Sequence, residues 1–144
     1  MDINPKLDEI KDCLYRVAVK AIVIRDRKVL LVMDDGDTAW CLPGGGIDHG
    51  ENLEQALRRE LAEEVGITEA DVKTNGKITG VIVGHTKSGI PRCNIHFRVN
   101  ITSENLSATE ETVKLEWIPI AGLNNLEFDA SAGPKSEVIK LITG

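Results

Sequence analysis

Three glutamates, Glu60, Glu63 and Glu64, stand at positions i, i+3 and i+4 of one strongly periodic segment. At about 100° per residue a helix gathers them into an arc of roughly 100°. Like charges at that spacing repel and weaken an isolated helix by roughly 0.2–0.5 kcal/mol. They also crowd the helix C-terminus, where the macrodipole disfavours negative charge. A divalent cation would reverse both penalties, because clustered carboxylates are hard oxygen ligands suited to Mg²⁺ or Mn²⁺. The plain alternative is a solvated acidic face with Arg58 and Arg59 as partners. Upstream lies Pro43-Gly44-Gly45-Gly46, a run that no regular element is expected to cross. It is no Walker loop, since no Gly-Lys-Ser/Thr follows. It is no dinucleotide fingerprint either, since His49 occupies the third glycine position.

The segment carrying the glutamates must be a helix. Leu53, Leu57, Leu61 and Val65 recur every four residues over Asn52 to Val65. Asn52 with Gln55 reads as a capping box, and Gly66 as the left-handed stop onto which Ile67 folds back. Before it, Tyr15–Ile24 is apolar on both faces, as a buried strand would be. Lys28–Met33 returns after the turn Arg25-Asp26-Arg27, and Thr38–Leu42 is a short extended piece. After the helix, Lys77–Thr86 and Arg92–Ile101 read as strands joined through Lys87-Ser88-Gly89. In the second, Cys93, Ile95, Phe97, Val99 and Ile101 face one way. Arg92, Asn94, His96, Arg98 and Asn100 face the other, taken as open. Val113–Ile118 is a further strand, Pro119 opens a short helix through Leu123, and Lys135–Ile142 is a terminal helix. Asn4-Pro5 with Leu7, Ile10 and Leu14 suggests an N-terminal helix or arm. The expected architecture is one domain over residues 1–144, a mixed α/β sandwich.

Composition narrows the function classes. A chain of 144 residues with 42% hydrophobic and 28% charged content is a globular domain, not a disordered or fibrous one. Seventeen Lys+Arg against 23 Asp+Glu give a net charge of −6, which argues against wrapping a nucleic-acid backbone. Small phosphorylated ligands remain open to it, since a metal ion bridges acidic protein and anionic substrate. Apolar runs are too short for a membrane span, and no secretory signal is visible at Met1–Lys11. Cys13, Cys41 and Cys93 have no CxxC spacing. A cytoplasmic setting is the expectation.

From Gly45 the chain reads Gly45, five residues, Glu51, seven residues, Arg59-Glu60-Leu61, one residue, Glu63-Glu64, one residue, Gly66-Ile67. This resembles the signature box of the Nudix hydrolases, GX5EX7REUXEEXGU with U aliphatic, at every fixed position. Such a match arises by chance in about one chain in 10⁷–10⁸ at average composition. Trp40-Cys41-Leu42-Pro43-Gly44-Gly45-Gly46 resembles the family lead-in, and Trp117-Ile118-Pro119 its late strand-to-helix turn. Asp48 stands where many relatives carry Glu. The resemblance implies an α/β/α sandwich with a mixed β-sheet and the motif loop and helix on one side. It implies hydrolysis of a nucleoside diphosphate linked to another group, by water attack at phosphorus with Mg²⁺ or Mn²⁺. By the same resemblance Glu60 and Glu64 are direct metal ligands, Glu63 shares coordination or acts as base, and the Gly44 carbonyl is a further ligand. Arg59 would orient carboxylates by a fork-like pair with Glu51 or Glu60, with Glu51 as support. One more ligand is expected shortly before Trp117, from Glu110, Glu111 or Glu116, and Glu111 is the choice. A solvated loop is the plainer reading of that stretch.

The substrate is a small nucleotide, with neither nucleic acid nor membrane as partner, and homodimers are common in the family. Trp117–Leu141 loosely resembles the end of the small antimutator-type members, which convert nucleoside triphosphates to monophosphate and pyrophosphate. Ala130–Gly133, where base-reading groups would stand, is small and bland. The proline of ADP-ribose hydrolases is absent, with Ile82 and Val83 in its place, and the only tyrosine is Tyr15. A (d)NTP leads, ahead of a dinucleoside polyphosphate or nucleotide sugar. A non-catalytic nucleotide-binding module is the reading from another class. Trp40, Trp117, Phe97 and Phe128 are the rings available to stack on a base. His49, His85, His96, Arg92 and Arg98 are possible phosphate contacts, each with a plainer surface reading. Asp34, Asp35 and Asp37 lack the spacing of a calcium loop, and Cys41 has no activating neighbour.

Overall fold

In the computed structural model, residues 9–144 are described, except 35, 37, 87 and 88. The expected N-terminal helix or arm therefore falls largely outside the described residues, as do parts of the aspartate loop and of the turn near Ser88. β1 (Arg16–Ile22) is flanked by β4 (Gly44–Gly46), antiparallel, and by β7 (Pro91–Arg98), parallel. β6 (Ile78–His85) closes that mixed four-stranded sheet, antiparallel to β7. A second sheet joins β2 (Ile24–Arg25), β3 (Lys28–Asp34) and β9 (Thr112–Pro119), all antiparallel. β5 (Val72–Lys73) pairs with β8 (Asn100–Ile101). Helices α1 (Leu53–Val65) and α2 (Lys135–Thr143) pack on opposite sides of this framework, through separate apolar clusters.

α1 begins and ends where its sequence dictates. The Asn52 side chain accepts from the Gln55 N–H at 2.8 Å, and the Gln55 side chain accepts from the Asn52 N–H at 2.9 Å. Gly66 stops the helix at φ 72. Leu57, Leu61 and Val65 are fully buried and meet Val19 and Ala21 of β1 with Leu30 and Val32 of β3. The alternate residues of the same strands, Ile22, Val29 and Leu31, join Ile82, Leu123, Val138 and Ile142 in the other cluster. Both strands are thus buried on both faces, which is why they read as continuous apolar runs.

Two expectations need correction. The glycine run is itself a strand, since β4 pairs Gly44, Gly45 and Gly46 with Lys20, Val19 and Ala18. Glycine suits it because a Cβ on Gly44, at φ +140, would collide with the Val19 carbonyl. The polar face of β7 is closed at its middle, where Asn94 and His96 are 0% and 1% exposed, while Arg92 and Arg98 at its ends stay half-buried and exposed. The 3₁₀ turn Ala130–Ala132 covers it, with the Asn94 amide donating to the Ser131 carbonyl at 2.8 Å and to the Ile82 carbonyl at 3.2 Å. The glycine at position 133 is also explained: a Cβ there, at φ +90, would strike Ile82, and the Ser131 carbonyl in turn seats on Gly84, where a Cβ would block it.

Burial holds the His96 imidazole at about 4, below its ordinary 6.5. Between pH 6.5 and 4 the unfolded chain binds a proton there that the folded chain does not. His96 therefore contributes full stability above pH 6.5 and loses it as pH falls through that window. Urea midpoints measured from pH 7.5 to 4.5 should fall less steeply for His96→Gln than for the native chain. The difference should be on the order of 2–3 kcal/mol.

Candidate active site

The acidic face of α1 lies against β4, and one guanidinium ties the two together. Arg59 forks onto Glu51, Nε to Oε2 at 2.7 Å and Nη2 to Oε1 at 2.8 Å. Its Nη1 donates to Glu60 at 2.9 Å and to Glu63 at 3.3 Å, and Nη2 also reaches the Gly46 carbonyl at 3.0 Å. Both pairings expected from sequence, with Glu51 and with Glu60, are present together. The Arg59 hydrogen bonds hold the Glu51 carboxyl at about 2, well below the usual range, and keep Arg59 firmly cationic.

Glu60 and Glu64 turn the other way, into the protein. Both are buried to within a tenth of their surface. The Glu60 carboxylate lies over Gly45, so close that a Cβ there would meet it at 2.5 Å. Glu64 Oε2 accepts from the Gly44 N–H at 2.9 Å. Burial raises the pKa of Glu60 and pushes Glu64 up to about 8, despite the opposing charge of Lys20. Glu111 completes the group: one carboxylate oxygen each from Glu60, Glu64 and Glu111 lies within 4.8 Å of the others. Glu110, Glu116 and Glu63 are outside that group among the described residues; Glu63 is exposed and turned toward Arg59. Hard oxygens at this spacing suit a divalent cation.

Two threonines bring Glu111 there. Thr109 Oγ1 donates to the Glu63 carbonyl at 2.5 Å and Thr112 Oγ1 to the Glu64 carbonyl at 2.8 Å. These are carbonyls that the last turn of α1 cannot pair internally. The loop entering β9 is thereby fastened to the helix end. Lys20 is the other residue that sequence reasoning misses. It is 6% exposed, and its Nζ donates to the carbonyls of Leu42 at 3.2 Å and Gly44 at 3.4 Å. Its signal is nonetheless present: a cation in the middle of a strand segment, Val17–Ile22, that is otherwise apolar on both faces. The Gly44 carbonyl, expected as a metal ligand, is thus shared with an ammonium.

Glu60 and Glu64 open into a cleft of about 560 Å³, lined also by Lys20, Asp34, Cys41, Thr86, Arg92, Asp129 and Ser131. That volume admits a nucleotide-sized ligand. Among the described residues lining it there is no aromatic ring. Phe97 is in the core, Trp117 lies under the Arg25 guanidinium at 5.0 Å, and Trp40 and Phe128 pack on the second apolar cluster. His49 and His85 are exposed and outside the lining. Arg98 is used structurally, donating to the carbonyls of Leu141 and Ile142 at the end of α2. Burial pushes the Cys41 thiol up to about 11, so it is no nucleophile.

Compared with known proteins, the chain matches the NUDIX domain over residues 14–140. It is 56% identical over 43 residues to an RNA pyrophosphohydrolase of Wolbachia pipientis subsp. Culex pipiens, a stretch covering 30% of this chain and 26% of that protein. The chain therefore spans well under half the length of that relative. Among solved structures it resembles a UDP-X diphosphatase, with TM-score 0.76 and 19% identity over 95% of this chain and 65% of the other. It also resembles a C. elegans Ap4A hydrolase, with TM-score 0.73 and 18% identity over 89% and 95%. At such identities the structural likeness establishes the fold.

The glycines separate two kinds of damage. Gly44→Ala should cost about 3 kcal/mol or more, because its Cβ meets β1 backbone at a positive φ. Gly45→Ala should leave the melting temperature nearly unchanged, since the atoms it strikes are the movable end of Glu60. Thermal melts of both variants, with a crystal structure of the second showing Glu60 displaced, check this.

Proposed function

The chain belongs to the Nudix hydrolase family, whose domain accounts for residues 14–140, and on that premise we propose that it hydrolyses a phosphoanhydride of a small nucleotide. The leading substrate is a (d)NTP, cleaved to nucleoside monophosphate and pyrophosphate. The observation that carries this reading is the convergence of Glu60, Glu64 and Glu111 beside a strand of glycines that leaves the cleft open. Mg²⁺ or Mn²⁺ held by these carboxylates, with the Gly44 carbonyl, would neutralise phosphate charge and lower the pKa of bound water.

The side chains supply the rest. A water oxygen forms a bond to phosphorus as the bridging P–O bond breaks, its electron pair leaving with the departing phosphate. The water's proton passes to a carboxylate, for which Glu63 and Glu64 are the two choices. Arg59 holds Glu51 and Glu60 in place from outside the cleft and needs no contact with substrate. Among the described residues lining the cleft, Lys20 offers an ammonium, set against the Gly44 carbonyl. Binding without turnover is the competing reading, and the complete carboxylate set speaks against it. The 43-residue likeness to an RNA pyrophosphohydrolase adds RNA, tried here as a 5′-triphosphorylated oligoribonucleotide, to the substrates to be tested.

Incubation with (d)NTPs, ADP-ribose and diadenosine polyphosphates plus Mg²⁺, followed by phosphate and pyrophosphate release, is the direct test. Glu63→Gln and Glu64→Gln should each lower kcat by about 10²–10⁴-fold. Near-normal rates in both would remove the assignment. Because Glu64 holds its proton up to about pH 8, cation binding must release it. Mn²⁺ affinity, followed by electron paramagnetic resonance, should therefore rise from pH 6 to pH 8.5 in the native chain. In Glu64→Gln that rise should largely disappear.

A further inference from the structure

The face of the four-stranded sheet that floors the cleft carries a second charged feature, of opposite sign to the acids. β1 and β7 run parallel in a register that pairs Arg16 with Arg92, two pairs before Ala18 with Asn94 and four before Lys20 with His96. Paired residues of neighbouring strands share a face about 4.8 Å apart. Two arginines side by side repel, and native sheets avoid the arrangement unless something offsets it. Among the described residues no carboxylate is ion-paired with either. Arg92 Nε is moreover buried without a hydrogen-bond partner, an omission that costs about 1–3 kcal/mol.

Arg16 is exposed at the start of β1, and Arg92 is half-buried at the start of β7. Arg16 lies against Gly46, where a Cβ would strike its guanidinium. Arg92 lines the cleft next to Ser131, whose backbone is fixed by Asn94 and seated on Gly84, the β6 partner of Arg92. Four residues of strand, about 13 Å, separate this pair from Lys20 and Gly44. A chain of three phosphates and the reach of an arginine side chain together span that distance.

We propose that Arg16 and Arg92 form an anion clamp that selects substrates carrying a phosphate beyond the anhydride that is cleaved, that is, triphosphate monoesters. The inference rests on the hydrolytic reading of the acidic site and adds the end of the cleft that reads the leaving group. When the bridging P–O bond breaks, the negative charge that develops on the departing pyrophosphate faces the two guanidinium groups. A bidentate fork matches such oxygens better than a point charge does.

The test compares native chain, Arg16→Gln, Arg92→Gln and Arg92→Lys on ATP, on a 5′-triphosphorylated oligoribonucleotide and on ADP-ribose. Binding of inorganic tripolyphosphate is measured beside it by calorimetry. Each Gln variant should lower kcat/KM for a triphosphate at least tenfold more than for ADP-ribose, mainly through KM, and weaken tripolyphosphate at least tenfold. Arg92→Lys should recover part of the binding. A selective loss on either triphosphate supports the clamp, and the larger loss identifies its source as free nucleotide or RNA end. Equal losses on ADP-ribose, or unchanged tripolyphosphate binding, overturn it. If the native chain turned over none of the three, nor a diadenosine polyphosphate, while tripolyphosphate binding still depended on Arg92, the hydrolytic reading would fail and the clamp would stand.

Discussion

Everything at the site follows from holding two carboxylates nearly out of water. Glu60 and Glu64 are almost wholly buried, and taking such charges from solvent is costly unless they are neutralised or paired. The protein meets that cost in part with the Gly44 N–H, the Arg59 guanidinium and the Lys20 ammonium. What remains is expressed as raised carboxyl pKa values, a standing preference for a cation or a proton. That preference is stored during folding.

That storage needs a frame that does not relax. Arg59 links the loop before α1, the helix itself and the glycine strand through charge-assisted bonds, and Thr109 and Thr112 bind the approach to β9 onto the helix end. Glycine is required on the facing strand for two distinct reasons. At position 44 the backbone of β1 is too near for any side chain, and at position 45 the Glu60 carboxylate occupies the space. A single Pro-Gly-Gly-Gly run thus brings strand pairing and acid placement into register.

The parts of this design carried by contiguous residues are legible in the amino-acid order alone. The leucine period of α1, its Asn52–Gln55 cap and its Gly66 stop depend only on neighbours along the chain, and the spacing of the box is local as well. Glu111 is reachable by its offset from Trp117, but the threonines that carry it there bond to a helix 46 and 48 residues away. The middle of the polar face of β7 reads as open although it is buried, because alternation reports two faces and not what covers them. Asn94 meets Ser131 across 37 residues. The Arg16–Arg92 pair depends on the β1–β7 register, which no pattern within either strand reveals.

β1 and β3 give alternate side chains to the two apolar clusters, Val19, Leu30 and Val32 to one and Ile22, Val29 and Leu31 to the other. Neither cluster can melt while the other keeps those strands in place. The terminal helix, far from the acids in sequence, is then part of the same unfolding unit as the helix that bears them. Loosened packing beneath Val138 or Ile142 would be transmitted as a higher population of globally unfolded chains. The acidic face would lose its geometry along with the rest of that unit.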